Sequence, residues 1–234
     1  EHLECAVGER PYLAAVLARL YQFHTLGDPC DNWRQRVAYL EQDAALIDRS
    51  AEPDRWATAM NALAVAHQEE PDADFSAALE RRLAGHAQVL AALPAAAAGA
   101  GIETRIALSE CYRFRCQGDA AANLAAAEGY ARAALAACHA IDDWRLQAEA
   151  LLALARVLVR PGRSDAAALA EARALCDAAA PLIDPALSPA LRATVETFRT
   201  DICLECIVAG DLAQVEPLLA HGHAALALLS APEA

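Results

Sequence analysis

Two cysteines and two histidines near the end of the chain have the residue types of a zinc site. They are Cys203, Cys206, His221 and His223, and four such ligands would suit tetrahedral Zn²⁺. All four fall inside predicted helices. Cys203 and Cys206 share a helix face, but His221 and His223 point about 200° apart, because each residue turns a helix by about 100°. The sequence therefore predicts buried small side chains, with no metal and no other cofactor, and leaves zinc binding as the alternative.

The chain carries none of the short motifs that mark common catalytic sites. It lacks a phosphate-binding glycine loop, an HExxH motif and a nucleophile elbow. Acidic pairs such as Glu69-Glu70 and Asp142-Asp143 stand where helix caps and solvated charge are expected. The Cys203-x-x-Cys206 pair has no preceding strand of the thioredoxin kind. We therefore predict that the protein is not an enzyme, and an unrecognised helical active site is the second alternative.

The charge of the chain argues against nucleic acid as a partner. The net charge is −13, and all 19 basic residues are arginine. Binding to phosphates needs clustered positive charge. No run of about 18 apolar residues is free of charge and helix breakers, so no membrane span is expected. The eight cysteines are scattered along a long chain, which favours small buried side chains in a reducing cytoplasm over a disulfide scaffold.

A repeating frame organises the chain. The frame is a leucine followed directly by a small residue, with a large residue four positions after the leucine. Its leucines are Leu17, Leu63, Leu108 and Leu154, which are 46, 45 and 46 residues apart. Gly-Asp pairs recur at 27–28, 118–119 and 210–211, about two periods apart. In each pair the glycine can take a positive φ that ends one helix, and the aspartate can cap the next helix. A period of this length is typical of stacked helix pairs.

The pattern predicts an all-α fold with no strand alternation. We expect a single domain over residues 1–234, built of about five antiparallel helix hairpins at about 10–48, 54–93, 101–140, 143–183 and 188–229. The stretch from Pro94 to Gly101 is the most linker-like in the chain.

These residues resemble the tetratricopeptide repeat family, whose repeats combine a tryptophan, a Leu-Gly/Ala pair, a tyrosine, a Gly-Asp turn and a closing proline. The matching residues here are Trp56, Leu63-Ala64, Leu108-Ser109, Tyr112, Gly118-Asp119, Pro53, Pro94 and Pro185. The period is longer than is usual in the family, and the fifth repeat has Thr200-Asp201 in place of the Leu-Ala pair. The resemblance implies a right-handed α-solenoid. Long repeats of this kind resemble arrays in bacterial multidomain regulators.

The resemblance also implies a binding groove lined by the first helix of each hairpin. The residues placed there are Tyr12, Arg19, Gln22, Asn61, Gln68, Arg113, Phe114, Arg156 and Arg160. Their amide, guanidinium and aromatic groups suit a peptide. The alternative for Phe114 is a place in the core. We therefore expect a cytoplasmic scaffold that binds a protein or peptide, and the alternative is a sensor of a small molecule or a pheromone peptide.

Overall fold

The computed structural model describes residues 11–23, 27–94, 97–160 and 165–230. These residues form ten α-helices and contain no β-strand, which confirms the all-α class. The helices are α1 (Pro11–Phe23), α2 (Pro29–Leu46), α3 (Pro53–Gln68), α4 (Phe75–Ala92), α5 (Ala98–Phe114), α6 (Ala120–Cys138), α7 (Trp144–Leu158), α8 (Ala166–Ala179), α9 (Pro189–Val208) and α10 (Val215–Ser230). Short 3-10 turns lie at Ala180–Leu182 and Leu212–Gln214.

The chain divides into two compact units. The first ends at Asn123 and the second starts at Leu124, so the division falls inside α6. The single repeat domain over residues 1–234 stays a prediction. No helix among the described residues is long and apolar enough to cross a membrane.

The three Gly-Asp turns have the predicted conformation. Gly27, Gly118 and Gly210 have φ values of 89°, 80° and 100°, which a residue with a Cβ rarely adopts. A carboxylate oxygen of Asp28 accepts the N–H of Cys30 at 2.7 Å, Asp119 accepts that of Ala122 at 2.7 Å, and Asp211 accepts that of Ala213 at 3.2 Å. The aspartates therefore satisfy free N–H groups at the start of the next element. Gly210 directly follows the C-cap of α9, whereas α5 ends at Phe114, four residues before Gly118.

Prolines set several of the helix starts. Pro29, Pro53 and Pro189 are the first residues of α2, α3 and α9, where a missing N–H costs nothing. The expected linker over Pro94–Gly101 was wrong in its second half, because α5 begins at Ala98. Alanine is the strongest helix former, so it continues the helix toward the N terminus. Residues 95 and 96 lie outside the described part.

The core of the first unit is close-packed and rich in small residues. Leu108 of the repeat frame is fully buried in α5. Ala64 of the frame is also buried, and a Cβ built on Gly85 of α4 would stand 2.8 Å from the Ala64 Cβ. The glycine therefore lets α3 and α4 approach more closely than an alanine would allow.

The core of the second unit is centred on α7. Leu152 and Leu154 of this helix are each 2% exposed, and they pack in a cluster with Leu169 and Cys176 of α8 and Ile202 of α9. Burial raises the pKa of the Cys176 thiol to about 11. This thiol therefore behaves as a small apolar group in the core.

Candidate functional site

Polar side chains link three helices of the first unit into one network. Nη1 of Arg82 donates to Oε1 of Gln68 at 2.6 Å, and Nε of Arg82 donates to Nε2 of His86 at 3.2 Å. Nδ1 of His86 lies 2.8 Å from Oδ1 of Asn61, whose Nδ2 donates to Oγ1 of Thr104 at 2.9 Å. The predicted groove residues Asn61 and Gln68 are therefore joined through α4, and both ends of the Asn61 amide are used inside the protein.

The contacts of His86 define its protonation. The ring is 1% exposed. Its Nε2 accepts from Arg82, so Nδ1 carries the hydrogen and donates to Asn61. Burial lowers the pKa of His86 to about 4, and the charge of Arg82 acts in the same direction. The imidazole is therefore neutral near pH 7 and serves to orient the guanidinium of Arg82.

Gln68 and Arg82 also border a cavity of about 240 Å³, which we term the aromatic cavity. Its remaining lining residues are Phe75, Leu79, Glu110, Cys111 and Phe114. Phe114 is 47% exposed and Phe75 is 54% exposed, whereas Leu79 is buried. Phe114 therefore does not belong to the core, and two aromatic rings stand at the rim of a space that holds one side chain.

Arg113 supports one of the two rings. Its guanidinium carbon lies 4.0 Å from the centroid of the Phe114 ring, and Nη2 lies 3.6 Å from Oε1 of Glu110. A cation above an aromatic face is attracted by the ring quadrupole. Arg82 forms no ion pair with a described carboxylate, and its hydrogen bonds go to the neutral Gln68 and His86. The cavity therefore combines aromatic surface with a cation that lacks a counter-ion among the described residues.

The predicted groove residues of α1 line a different cavity in the first unit, which we term the three-helix cavity. Arg19 and Gln22 border this space of about 470 Å³ together with residues of α2 and α3. Asp43 of α2 is buried there, and burial raises its pKa, while Arg55 of α3 at 3.5 Å opposes that shift. Tyr12 lies on α1, and its side chain is outside the described part.

The remaining groove residues, Arg156 and Arg160, belong to the second unit. Arg156 lies near the end of α7, with its guanidinium carbon 4.7 Å from the centroid of the Phe198 ring. Arg160 follows α7 and is half-buried. Arg113 belongs to the first unit. The groove role of these three arginines stays a prediction.

The four residues considered for zinc are engaged in other contacts or stand apart. Sγ of Cys203 lies 3.7 Å from Oε1 of Gln214, and Nδ1 of His221 lies 2.8 Å from Oε2 of Glu196. His223 is exposed. Burial raises the pKa of the Cys203 thiol, which opposes formation of the thiolate that binds metal. Within the described ranges, no three His, Cys, Asp or Glu side chains cluster so that they could hold a metal ion.

Sequence reasoning missed the second-helix arginines. Arg82 lies on α4 and Arg173 on α8, whereas the predicted groove used first helices only. Nη2 of Arg173 donates to Oε1 of Gln214 at 3.0 Å, so both guanidinium groups are held by a glutamine oxygen. The signal that could have found them is their separation of 91 residues, which equals the separation of Gly27 and Gly118.

No family model matches the chain, and no curated protein matches it significantly.

Proposed function

We propose that the chain is a tetratricopeptide-like, right-handed α-solenoid of about five antiparallel hairpins that binds a protein or peptide segment. Its place would be the interaction arm of a larger bacterial regulator in the cytoplasm. The helix bounds support the architecture, because they follow the repeat period of the sequence. Neighbouring helices also pack on one another within each unit: α1 on α2, α3 on α4, α7 on α8 and α9 on α10.

The aromatic cavity is the observation that carries the binding proposal. Two residues predicted for a peptide groove, Gln68 and Phe114, border it, and Phe75 adds a second exposed ring. Exposed aromatic side chains beside an arginine are typical of binding hot spots. A cavity of about 240 Å³ suits one anchoring side chain of a peptide that runs across the surface.

The charge of the cavity indicates what the peptide carries. Arg82 and Glu110 border the cavity, and Glu110 is paired with Arg113, which lies over the Phe114 ring beside it. The excess cation favours an acidic group on the ligand. Charge-assisted hydrogen bonds of this kind contribute roughly 1.5–3 kcal/mol each when they are shielded from water. We therefore propose a segment in which an apolar or aromatic residue lies beside an acidic one.

A sensor of a small molecule is the second candidate, and the three-helix cavity favours it. Its volume of about 470 Å³ lies in the range of small-molecule sites. Arg19, Arg36 and Arg55 border it together with the buried carboxylate of Asp43. Such a lining suits a polar ligand that has both donor and acceptor groups.

Selection of peptides from a displayed random library tests the proposal. A selected peptide, labelled with a fluorophore, is titrated with the protein, and the dissociation constant is obtained from fluorescence anisotropy. Phe114→Ala removes the exposed anchor and should weaken binding at least tenfold, which is about 1.4 kcal/mol. Leu46→Ala is the matched control, because Leu46 is also exposed (42%) and lies on α2, outside the aromatic cavity.

Two results would reject peptide binding at this cavity. One is that no selected peptide binds in the micromolar range. The other is that Phe114→Ala and Leu46→Ala bind a selected peptide as the parent does, with circular dichroism showing that both variants are folded.

A further inference from the structure

Two adjoining cavities in the second unit share one arginine. The first, of about 390 Å³, has the polar side chains of Arg199, Gln214 and His221 in its lining, together with Ile202, Cys203 and Pro217. The second, of about 450 Å³, is bordered by four alanines, three of them on α8 (Ala166, Ala170 and Ala174), and by Leu169, Cys206 and Asp211. Arg173 and Asp177 border both cavities. We term the two spaces the polar lobe and the alanine lobe.

Arg173 is the cation of this region that has no carboxylate partner among the described residues. Its Nη2 donates to Oε1 of Gln214 at 3.0 Å and lies 3.7 Å from Sγ of Cys206. Gln214 is itself held, because its Nε2 donates to Oδ2 of Asp211 at 2.9 Å. The glutamine therefore fixes the guanidinium without neutralising it.

The other charges around the polar lobe are already paired. Oε1 of Glu196, which is 5% exposed, lies 3.2 Å from Nη2 of Arg192 and 3.1 Å from Nη1 of Arg199. Arg199 also pairs with Asp177 at 2.5 Å. Two arginines thus balance two carboxylates. Arg173 adds a positive charge that forms no ion pair with a described carboxylate, since Asp211, which borders the alanine lobe, accepts from Gln214 instead. A buried or half-buried charge without a counter-ion favours a ligand of the opposite charge.

The alanine lobe supplies an apolar surface beside that charge. Leu169 borders it and is 5% exposed, and Ala170 and Ala174 border it and are exposed. Methyl groups leave room that larger side chains would fill. An alkyl chain placed there would remove apolar surface from water, which favours binding.

From this arrangement we infer that the second unit binds a small carboxylate that carries an apolar chain, such as the anion of a medium-chain fatty acid. The carboxylate accepts hydrogen bonds from the guanidinium of Arg173 at the junction of the two lobes, and the alkyl chain lies in the alanine lobe. No residue of the aromatic cavity takes part, so this site goes beyond the peptide-binding proposal and does not depend on it.

Calorimetric titration of the full chain with octanoate tests the site, with 1-octanol as the neutral ligand of the same chain length. Octanoate should bind at least tenfold more tightly than octanol. Equal affinity for the two, or no measurable heat of binding with octanoate, would overturn the inference without the need for any variant.

Arg173→Gln removes the charge and keeps a polar side chain. It should weaken octanoate binding at least tenfold. Arg132→Gln is the matched control, because Arg132 is an exposed arginine of the same unit that is paired with Glu128 and Glu171. The control should keep the parent affinity within a factor of about two. Equal affinity of the Arg173 variant and the parent would overturn the inference.

Ala170→Phe tests the alanine lobe if the Arg173 variant does not fold. It fills the lobe and leaves the guanidinium in place, so it should reduce the preference for octanoate over butanoate at least fivefold. An unchanged preference for the longer chain would show that the alkyl chain does not lie in the alanine lobe.

Discussion

Helix α3 in the first unit and helix α7 in the second hold equivalent places in the repeat, but they bury different side chains. Their tryptophans, Trp56 and Trp144, are 88 residues apart, or about two periods. The four buried residues of α3 are all alanine, whereas α7 buries ten residues, five of which are leucine. Because an alanine removes little apolar surface from water, α3 gains much less stabilisation from burial than α7.

Polar contacts hold α3 in place, whereas buried leucine side chains hold α7. Asn61 binds both Thr104 and His86, and Nε1 of Trp33 on α2 donates to the backbone oxygen of Ala66 at 2.7 Å. Each satisfied hydrogen bond contributes about 0.5–1.5 kcal/mol, and a buried group left without its partner costs about 1–3 kcal/mol. Specific hydrogen bonds therefore hold α3 in the first unit. They depend on the protonation of His86 and on the close approach of α3 and α4.

The two second-helix arginines show a similar contrast. Arg82 and Arg173 are each bound by a glutamine oxygen and lack a described carboxylate partner. The surface beside Arg82 is aromatic, and the surface beside Arg173 is lined by alanine. An arginine therefore lies beside a different kind of apolar surface in each unit. For this reason we propose a peptide side chain as the ligand at Arg82 and an alkyl chain as the ligand at Arg173.

Truncation of a buried leucine should give the largest loss of stability. Leu108→Ala in the first unit and Leu152→Ala in the second should each lower the free energy of unfolding by about 2–5 kcal/mol, through lost burial and the cavity that remains. Urea unfolding followed by circular dichroism measures the change. Leu187→Ala is the control, because Leu187 is 76% exposed, and its effect should stay within about 0.5 kcal/mol. Equal stability of Leu108→Ala and the control would place Leu108 outside the core.

The polar network should make the first unit sensitive to acid through His86. Its folded pKa of about 4 lies below the ordinary value near 6.5, so the unfolded chain takes up the proton first as the pH falls. The stabilisation is therefore complete above about pH 6.5 and is lost toward pH 4. Each pH unit between the folded and unfolded pKa values contributes about 1.4 kcal/mol, so the loss amounts to roughly 3 kcal/mol.

The variant His86→Gln isolates this effect, because glutamine does not titrate and can still donate to Asn61. The difference between parent and variant in the free energy of unfolding should change with pH between about 6.5 and 4. His223→Gln, at an exposed position of the second unit, should follow the parent. A difference that stays constant over this interval would mean that His86 is not held neutral.

The smallest expected changes in stability are those of two matched glycine-to-alanine substitutions, at Gly85 and Gly129. In Gly85→Ala the new Cβ would stand 2.8 Å from the Cβ of Ala64, whereas the new Cβ of Gly129→Ala would meet no atom within 4 Å. We expect Gly85→Ala to destabilise by about 1–3 kcal/mol through overpacking and Gly129→Ala to stabilise by about 0.5–1 kcal/mol. Melting temperatures should therefore move in opposite directions, and a gain in both variants would show that α3 and α4 are not in close contact.

The helix bounds could be predicted from the sequence because local chemistry sets them. A proline such as Pro53 or Pro189 fixes a start, and the pair Gly210-Asp211 combines the end of α9 with a cap for the next element. The start of α5 at Ala98 could not be predicted in the same way, since a run of alanine and glycine permits both a helix and a linker.

The candidate site could be predicted only in part. Gln68 and Phe114 follow from the first-helix frame, which places them on a shared surface. Arg82 and Arg173 lie on second helices, and their importance depends on which partners their side chains meet. The register of the packed helices and the side-chain rotamers decide whether an arginine binds a carboxylate or a glutamine. The repeat period of the sequence determines neither.

Cross-testing of the two arginine sites is the most direct measurement of the central claim that each unit holds its own ligand. The selected peptide and octanoate are each titrated against the parent, Arg82→Gln and Arg173→Gln. Arg82→Gln should weaken the peptide at least tenfold and leave octanoate within a factor of about two, and Arg173→Gln should do the reverse. If one folded variant weakened both ligands equally, or if neither variant weakened its own ligand, the claim of two separate sites would be contradicted.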